Sequence, residues 1–146
     1  MGQRVSSSYG YNKKMIQVFV PGIPQPQGSK NAYVMGKRAV IVESNKKLPA
    51  WRKTLTEVLE AANSSCQPLT GAVCLEVIFF MPRAKSNTKD YPSQKPDLDK
   101  LIRAVGDSAD NAGLLSDDSQ ICQILANKVW AGCEADQGAL ITFSEL

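Results

Sequence analysis

Two pairs of aspartates stand on either side of a helix-like segment: Asp97 with Asp99, and Asp117 with Asp118. Two bare carboxylates about 4 Å apart repel each other by roughly 4 kcal/mol at an effective dielectric constant near 20. If a short return of the chain brings the pairs together, they therefore need a cation or a shared proton. Oxygen ligands suit Mg²⁺, with Mn²⁺ as a substitute, and the chain has no histidine for a softer metal.

The same aspartates also fit an ordinary structural role. Because Pro96 disfavours helix in the residue before it, a helix can begin at Asp97 or one residue later, with Asp99 in its first turn. Aspartate is favoured at helix N-caps and in first turns, and Asp-Asp-Ser is typical of turns. On spacing alone, a metal site and a set of caps both remain open.

Length and charge limit the class of protein. A chain of 146 residues is long enough for one domain with a real core. Ten of its 17 Lys and Arg residues, but only one of its 14 acids, fall within residues 1–53. This asymmetry fits a protein that binds polyanions on one surface and metal on another, and it also fits an ordinary solvated surface.

Cysteine usage argues against a zinc site. The four cysteines show no Cys-x-x-Cys spacing and have no histidine to accompany them. Free thiols in a reducing cytoplasm are therefore expected. Cys74 and Cys122 lie in apolar strand-like runs, which predicts that both are small core residues.

The chain contains no run of about 20 apolar residues, so no membrane association is expected. Residues 1–14 are polar and lack the apolar segment of a secretory signal. We interpret residues 1–14 as a flexible leader or a cloning artefact, and residues 15–146 as the folded domain.

Hydrophobic periodicity predicts an α+β fold, a single small domain in which a mixed β-sheet has helices packed on one face. The predicted order is a strand, a hairpin, a helix, a very apolar strand, a second helix and two further strands. In residue numbers these elements are 16–20, 33–42, a helix from Pro49, 73–80, a helix from 97 or 98 to about 111, 121–130 and 139–143.

Basic residues surround the aspartates along the chain and could bind phosphate. They lie in the loop after the first strand, at the hairpin tip and in the loop before Asp97. The candidates are Lys30, Lys37, Arg38, Arg83, Lys85, Lys89, Lys95, Lys100 and Lys128. On the second helix, Asp99, Arg103 and Asp107 follow one another at intervals of four residues, which predicts a ladder of charge pairs.

Residues 95–121 resemble RusA-type Holliday junction resolvases. The resemblance is carried by Lys95-Pro96-Asp97-Leu98-Asp99, by the helix through Asp107, and by the run from Gly113 to Ile121 that contains Asp117-Asp118-Ser119-Gln120. It implies a small homodimer, common in phages and prophages, that uses Mg²⁺ or Mn²⁺ to cut four-way DNA junctions by paired incisions. It also makes Asp97, Asp99 and Asp118 the essential acids and Asp117 an accessory metal ligand.

The chain departs from the family pattern at three places. Arg103 stands at the family's catalytic lysine, Lys100 stands at the usual asparagine, and the basic loop is reduced to Gly28-Ser29-Lys30. Arginine keeps the charge and can bind phosphate bidentately but does not readily transfer a proton, so we expect Arg103 to stabilise charge, with Lys128 as a helper. These departures leave two alternatives open: a noncatalytic protein that binds branched DNA, and a broader flap or branched-DNA nuclease.

Overall fold

The structure is a computed structural model that describes residues 13–28, 30–43 and 45–146. The side chains of residues 30–33 and 40–43, and with them that of Lys30, lie outside the described part. In chain order, the elements are β1 (Met15–Pro21), β2 (Lys30–Met35), β3 (Arg38–Glu43), α1 (Leu48–Ala62), β4 (Val73–Met81), α2 (Leu98–Asn111), β5 (Ile121–Trp130) and β6 (Gly138–Glu145).

Four of the strands form one mixed sheet in the order β1-β6-β4-β5. Strand β4 is antiparallel to β6 and parallel to β5, while β2 and β3 form a separate antiparallel hairpin. The predicted α+β fold is confirmed, and the very apolar β4 lies inside the sheet as its composition indicates. Strand β5 lies at the edge, with β4 as its neighbour in the sheet.

Both helices contribute to a single hydrophobic core on one face of the sheet. In β4 the alternate residues Val73, Leu75, Val77 and Phe79 are buried, as expected for a strand with one covered face. The helices meet them with buried stripes at helical spacing, formed by Trp51, Leu55 and Leu59 on α1 and by Leu101, Val105 and Ala109 on α2. Each large apolar side chain in this core contributes about 1.5–3 kcal/mol by burial.

Gly138 is required where β6 begins beside β1. Its φ angle is +154°, and a Cβ atom there would overlap the carbonyl oxygen of Val20 and the ring of Phe19. Since Gly138 pairs with Pro21 in the β1–β6 register, any side chain would push the two strands apart.

The prediction for Cys122 is wrong, whereas that for Cys74 is confirmed. Both are free thiols, but Cys74 is buried and Cys122 is exposed. The reason is local: the β4–β5 register shifts between Val73, which pairs with Ile121, and Cys74, which pairs with Gln123, and Ile121 rather than Cys122 packs against the core. An apolar run shows that a strand is present but not whether its neighbours cover it.

The folded domain extends to Lys14, a residue that the sequence analysis assigns to the leader. The Lys14 amine donates hydrogen bonds to Asn63 Oδ1 (2.7 Å) and to the Gln67 carbonyl (2.9 Å). The Lys14 backbone N–H donates to Glu145 Oε1 (2.9 Å).

Among the described residues, no helix is long and apolar enough to cross a membrane.

Glu145 joins the two ends of the domain, which leads to a stability prediction. The N–H of Thr70 and then that of Lys14 donate to its carboxylate and lower its pKa. We expect Glu145→Gln to reduce the free energy of unfolding near neutral pH by about 1 kcal/mol. Because the folded-state pKa is lowered, this stabilisation is present above the unfolded-state pKa and lost as the pH falls through the folded-state pKa.

Thermal unfolding of Glu145→Gln and wild type across the acid range measures this effect. The exposed Glu60→Gln on α1 serves as the matched control. A difference in melting temperature that stays the same down to strong acid would contradict the assigned role of the carboxylate.

Candidate active site

Asp97 is the N-cap residue of α2, but its side chain does not cap the helix. Its backbone is extended, and its carboxylate accepts no hydrogen bond from the backbone N–H groups of the first turn. Instead, the exposed carboxylate forms an ion pair with Lys100, whose amine lies 3.2 Å from Asp97 Oδ2. The capping interpretation therefore does not account for Asp97, and its oxygens remain accessible from solvent.

Asp99 and Arg103 occupy successive turns of α2 and are both exposed. The predicted charge ladder is wrong: among the described residues, the one side-chain ion pair is Lys100 with Asp97. Asp107 accepts a hydrogen bond from the side chain of Gln27 instead. The guanidinium group of Arg103 is thus not neutralised by either of its acidic neighbours.

The loop after β1 packs against this face of α2. The backbone N–H of Gln27 donates to the carbonyl of Lys100 at 3.0 Å. A Cβ atom on Gly28, whose φ angle is +122°, would lie 3.3 Å from the Arg103 guanidinium nitrogen Nη1. Glycine at this position therefore permits the close approach of the loop to Arg103.

At the other end of α2, Asp117 has the structural role that the turn interpretation predicts. Its carboxylate accepts the N–H of Ser119 at 2.8 Å and caps a short 3-10 helix, Asp118–Gln120, an interaction that lowers the Asp117 pKa. The Gln120 side chain closes the capping box and donates to the carbonyls of Leu69 and Gly71. Asp118 is exposed beside this cap and keeps its carboxylate at the surface.

Asp110 is a residue that the sequence analysis missed. It lies in the last turn of α2, where the helix dipole disfavours a negative charge. Its carboxylate accepts the backbone N–H of Asp118, and one of its oxygens is buried without a partner. Burial, followed by the charges of Asp118, Asp117 and Asp107, raises the Asp110 pKa. The sequence signal that could have identified Asp110 is an acidic residue near the C-terminal end of a predicted helix, where a negative charge is unfavourable.

The two pairs of aspartates lie at opposite ends of α2. A helix of 14 residues is about 21 Å long, and the hydrogen bond between Asp110 and Asp118 holds Asp118 at its far end. The prediction that a short return of the chain joins the pairs is therefore wrong within one chain. In the part of the chain that the structure describes, no three acidic or thiol side chains are grouped closely enough to hold a metal ion.

Lys128 does lie beside the first pair. Its amine donates to the carbonyls of Gln94 (2.7 Å) and Pro96 (2.8 Å), immediately before Asp97. Both acceptors are neutral, so the positive charge of Lys128 is not cancelled by a carboxylate there. Lys100, Arg103 and Lys128 together give this end of α2 three cations around Asp97 and Asp99.

The other basic candidates are exposed and lie in two regions. Lys37 and Arg38 form the tip of the β2–β3 hairpin, and Lys85, Lys89 and Lys95 follow β4. Arg83 is partly engaged within that loop: it donates to the carbonyls of Asn87 and Lys89, and its guanidinium carbon lies 5.4 Å from the centre of the Trp130 ring. Their role in binding nucleic acid stays a prediction.

Comparison with known proteins identifies the family. Comparison of the sequence with models of protein families gives a match to the endodeoxyribonuclease RusA family over residues 21–136, which is well over half of the chain. The chain belongs to the RusA endodeoxyribonuclease family. RusA-family proteins are nucleases that resolve Holliday junctions, and the match includes both aspartate pairs and β5. A search of curated proteins found no match.

The first aspartate pair of this RusA-family domain fits a magnesium ion. Mg²⁺ is commonly held by one or two carboxylates, with water and substrate phosphate completing its shell. Asp97 and Asp99 are exposed, and neither oxygen of Asp97 is used to cap α2. Within one chain, this donor set provides two carboxylates, and Asp118 is not part of it. The assignment of Asp97, Asp99, Asp117 and Asp118 as metal ligands stays a prediction.

The raised pKa of Asp110 predicts an unusual pH dependence of stability. A carboxyl group whose folded-state pKa is raised costs stability once the pH exceeds the unfolded-state pKa of about 3.9, and the cost is complete above the folded-state pKa. Asp110→Asn removes this cost while its amide oxygen can still accept the N–H of Asp118. We expect the variant to melt at a higher temperature than wild type near neutral pH.

Thermal unfolding from neutral pH to below about pH 3.5 tests this expectation, because the advantage should shrink as Asp110 becomes protonated in both states. Asp90→Asn, an exposed acid in the loop after β4, is the control. A variant that is less stable than wild type at neutral pH would show that ionised Asp110 is stabilising and contradict the prediction.

Proposed function

We propose that this chain is a Mg²⁺-dependent endonuclease that acts as a homodimer and cuts four-way DNA junctions by paired, symmetric hydrolysis of phosphodiester bonds. The observation that carries the proposal is the group at the start of α2: two exposed carboxylates, Asp97 and Asp99, beside three cations. The family match gives this group its context. We also propose that the activity belongs to the cytoplasm of a bacterial or phage-infected cell.

The cations at the start of α2 bind and orient the DNA backbone in this proposal. Arg103 can hold two phosphate oxygens at once and stabilise the charge that develops on them, but a guanidinium group does not readily transfer a proton. Lys128 is fixed by two backbone carbonyls and can direct a third N–H towards phosphate. Mg²⁺, when bound by Asp97 and Asp99, would polarise a phosphate oxygen and acidify water.

A homodimer explains how Asp118 can belong to the same site although it lies far from Asp97 in its own chain. Strand β5 is ten residues long, and among the described residues it pairs with β4 alone in the sheet, which leaves it one free edge. Ile124 (48% exposed) and Leu125 (60% exposed) project from its two faces, so apolar surface is uncovered on both sides of this edge. A long edge strand of this kind is a ready template for pairing with a second chain.

Antiparallel pairing of two β5 strands would join the two ends of the site. In such a pair, the start of each strand lies opposite the end of the other. The start of β5 follows Asp118, and Lys128 near its end contacts Pro96. Asp118 of the partner subunit would thereby approach Asp97, and a two-fold axis would create two equivalent sites for symmetric cuts.

The exposed basic residues at the hairpin tip and after β4 would hold the DNA arms. They are Lys37, Arg38, Arg83, Lys85, Lys89 and Lys95, with Lys30 assigned from sequence alone. Such phosphate contacts give affinity that falls steeply with salt and do not depend on sequence.

One observation favours a second candidate function, a noncatalytic protein that binds branched DNA. The ion pair between Lys100 and Asp97 already gives Asp97 a cation partner, and it involves one of the positions that depart from the family pattern. In this case the protein binds junctions with Mg²⁺ or Mn²⁺ present and cuts none of them.

Synthetic four-way junctions, flaps and linear duplexes test the proposed activity. We expect paired nicks in the junction with Mg²⁺, loss of nicking with retained binding in Asp99→Asn, and a loss of about 10²–10³-fold in rate for Arg103→Ala, as for removal of one group that stabilises transition-state charge. Arg103→Lys should keep more activity than Arg103→Ala. Glu60→Gln, an exposed acid near the end of α1 that belongs to no proposed site, is the control.

The result would be read from denaturing gels of strands labelled one at a time. Equal cutting of flaps and junctions would favour the broader nuclease, and binding without any cutting would favour the noncatalytic protein. Undiminished nicking by Asp99→Asn would remove Asp99 from the site.

Mixing two inactive variants tests whether the dimer shares its sites. Asp97→Asn and Asp118→Asn should each be inactive alone. If each site takes Asp97 from one subunit and Asp118 from the other, mixed dimers contain one intact site and regain single nicks after subunit exchange. If both residues act within one chain, the mixture stays inactive. The double variant Asp97→Asn/Asp118→Asn mixed with either single variant is the control, since it cannot form an intact site.

A further inference from the structure

A cavity of about 460 Å³ lies beside Asp97, between the loop after β1, the ends of β4 and β5, and the start of α2. This volume is within the range of about 300–1,000 Å³ that is typical of ligand pockets. A cavity of this volume is too small for a duplex and large enough for one planar group. Neither the proposed metal binding nor the proposed phosphate contacts would need a cavity of this size.

The walls of this cavity are mainly flat and apolar. Five prolines line it: Pro24, Pro26, Pro82, Pro92 and Pro96. Because proline lacks a backbone N–H, these five residues contribute no backbone donors to the walls. Met81 and the aromatic ring of Trp130 add apolar surface, and the indole N–H of Trp130 donates to the Lys89 carbonyl at 2.8 Å. Three amide side chains, those of Gln25, Asn45 and Gln94, also line the cavity.

Its rim, by contrast, is charged. Lys95, Lys100 and Lys128 border the cavity together with Asp97. An apolar cavity whose mouth carries cations suits a ligand with a flat apolar body and an anionic attachment. A nucleotide has this form, because every base has a π face and is linked to phosphate.

We propose that this cavity receives one unstacked nucleobase of the bound DNA, adjacent to the phosphate that is cut. This inference rests on the proposed function. It adds that the residues lining the cavity determine at which phosphate the DNA is cut. A base at the branch point of a junction is the natural occupant, since unstacking costs least where pairing is already interrupted. With the base in the cavity, its phosphate reaches the cations at the rim, beside Asp97 and Asp99.

The base would be held by shape and stacking, with Trp130 as the aromatic contact and Ile23 at the mouth. Ile23 is 45% exposed, so a larger side chain there can reduce the opening without disturbing the core. Leu146 is 44% exposed, and its backbone N–H is bonded to the carbonyl of Ala72 at the opposite end of β4. Leu146→Phe is therefore a matched control for Ile23→Phe.

The test uses four-way junctions with 2-aminopurine at single positions around the branch point and Ca²⁺ in place of Mg²⁺. We expect wild type to raise the fluorescence at one position next to the cut and to leave positions further along the arms unchanged. Ile23→Phe and Trp130→Leu should lower this response or weaken binding about tenfold, as for the loss of one base-stacking contact. Leu146→Phe should behave as wild type, and circular dichroism checks that each variant folds.

Two results separate this inference from the proposed function. If wild type cuts junctions with Mg²⁺ but no 2-aminopurine position responds, or if the response is unchanged in both cavity variants, the base-binding cavity is refuted and the nuclease stands. If wild type neither binds nor cuts junctions, the proposed function fails and this inference fails with it. Cut sites in a junction with a mobile branch point give an independent readout, because the cavity variants should spread them over more sequences.

Discussion

The rigid length of α2, with β5 returning beside it, is the constraint on which the rest of this structure depends. The start of β5 lies at the end of α2, where Asp110 holds the N–H of Asp118. The end of β5 lies at the start of α2, where Lys128 holds the Pro96 carbonyl. A helix cannot shorten without breaking its backbone hydrogen bonds, so one chain keeps its two acidic pairs apart. The same geometry brings a lysine to the first pair.

This arrangement gives the two ends of α2 different electrostatic characters. At the start, Lys100, Arg103 and Lys128 join the positive end of the helix dipole around Asp97 and Asp99. At the far end, Asp110, Asp117 and Asp118 meet the negative end of the dipole, and burial, followed by the charges of Asp118 and Asp117, raises the pKa of Asp110. We propose that the first end attracts phosphate. The second becomes part of a nuclease site only if it meets cations from elsewhere, which is why we propose the dimer.

Proline-rich loops shape the surface around the first end. The loop after β1 is fixed to α2 through Gln27, and the segment before α2 is fixed to β5 through Lys128. Between these two attachments lies the cavity beside Asp97. Loops that are tied down at several points can hold a binding surface in place, whereas free loops must lose conformational entropy when a ligand binds.

The sequence by itself determined the elements, because local periodicity governs them: the apolar run of β4, the stripes of α1 and α2 and the alternation of β5 all appear where they were predicted. It also determined the family, since the aspartate motifs lie on short contiguous stretches. Only the tertiary structure decided that Cys122 is exposed, that Asp117 caps while Asp97 does not, and that Asp110 contacts Asp118. Those outcomes depend on which elements become neighbours and on the distance between the two ends of a 14-residue helix. Long-range contacts of this kind produce no periodic pattern in the sequence, so they could not be predicted from it.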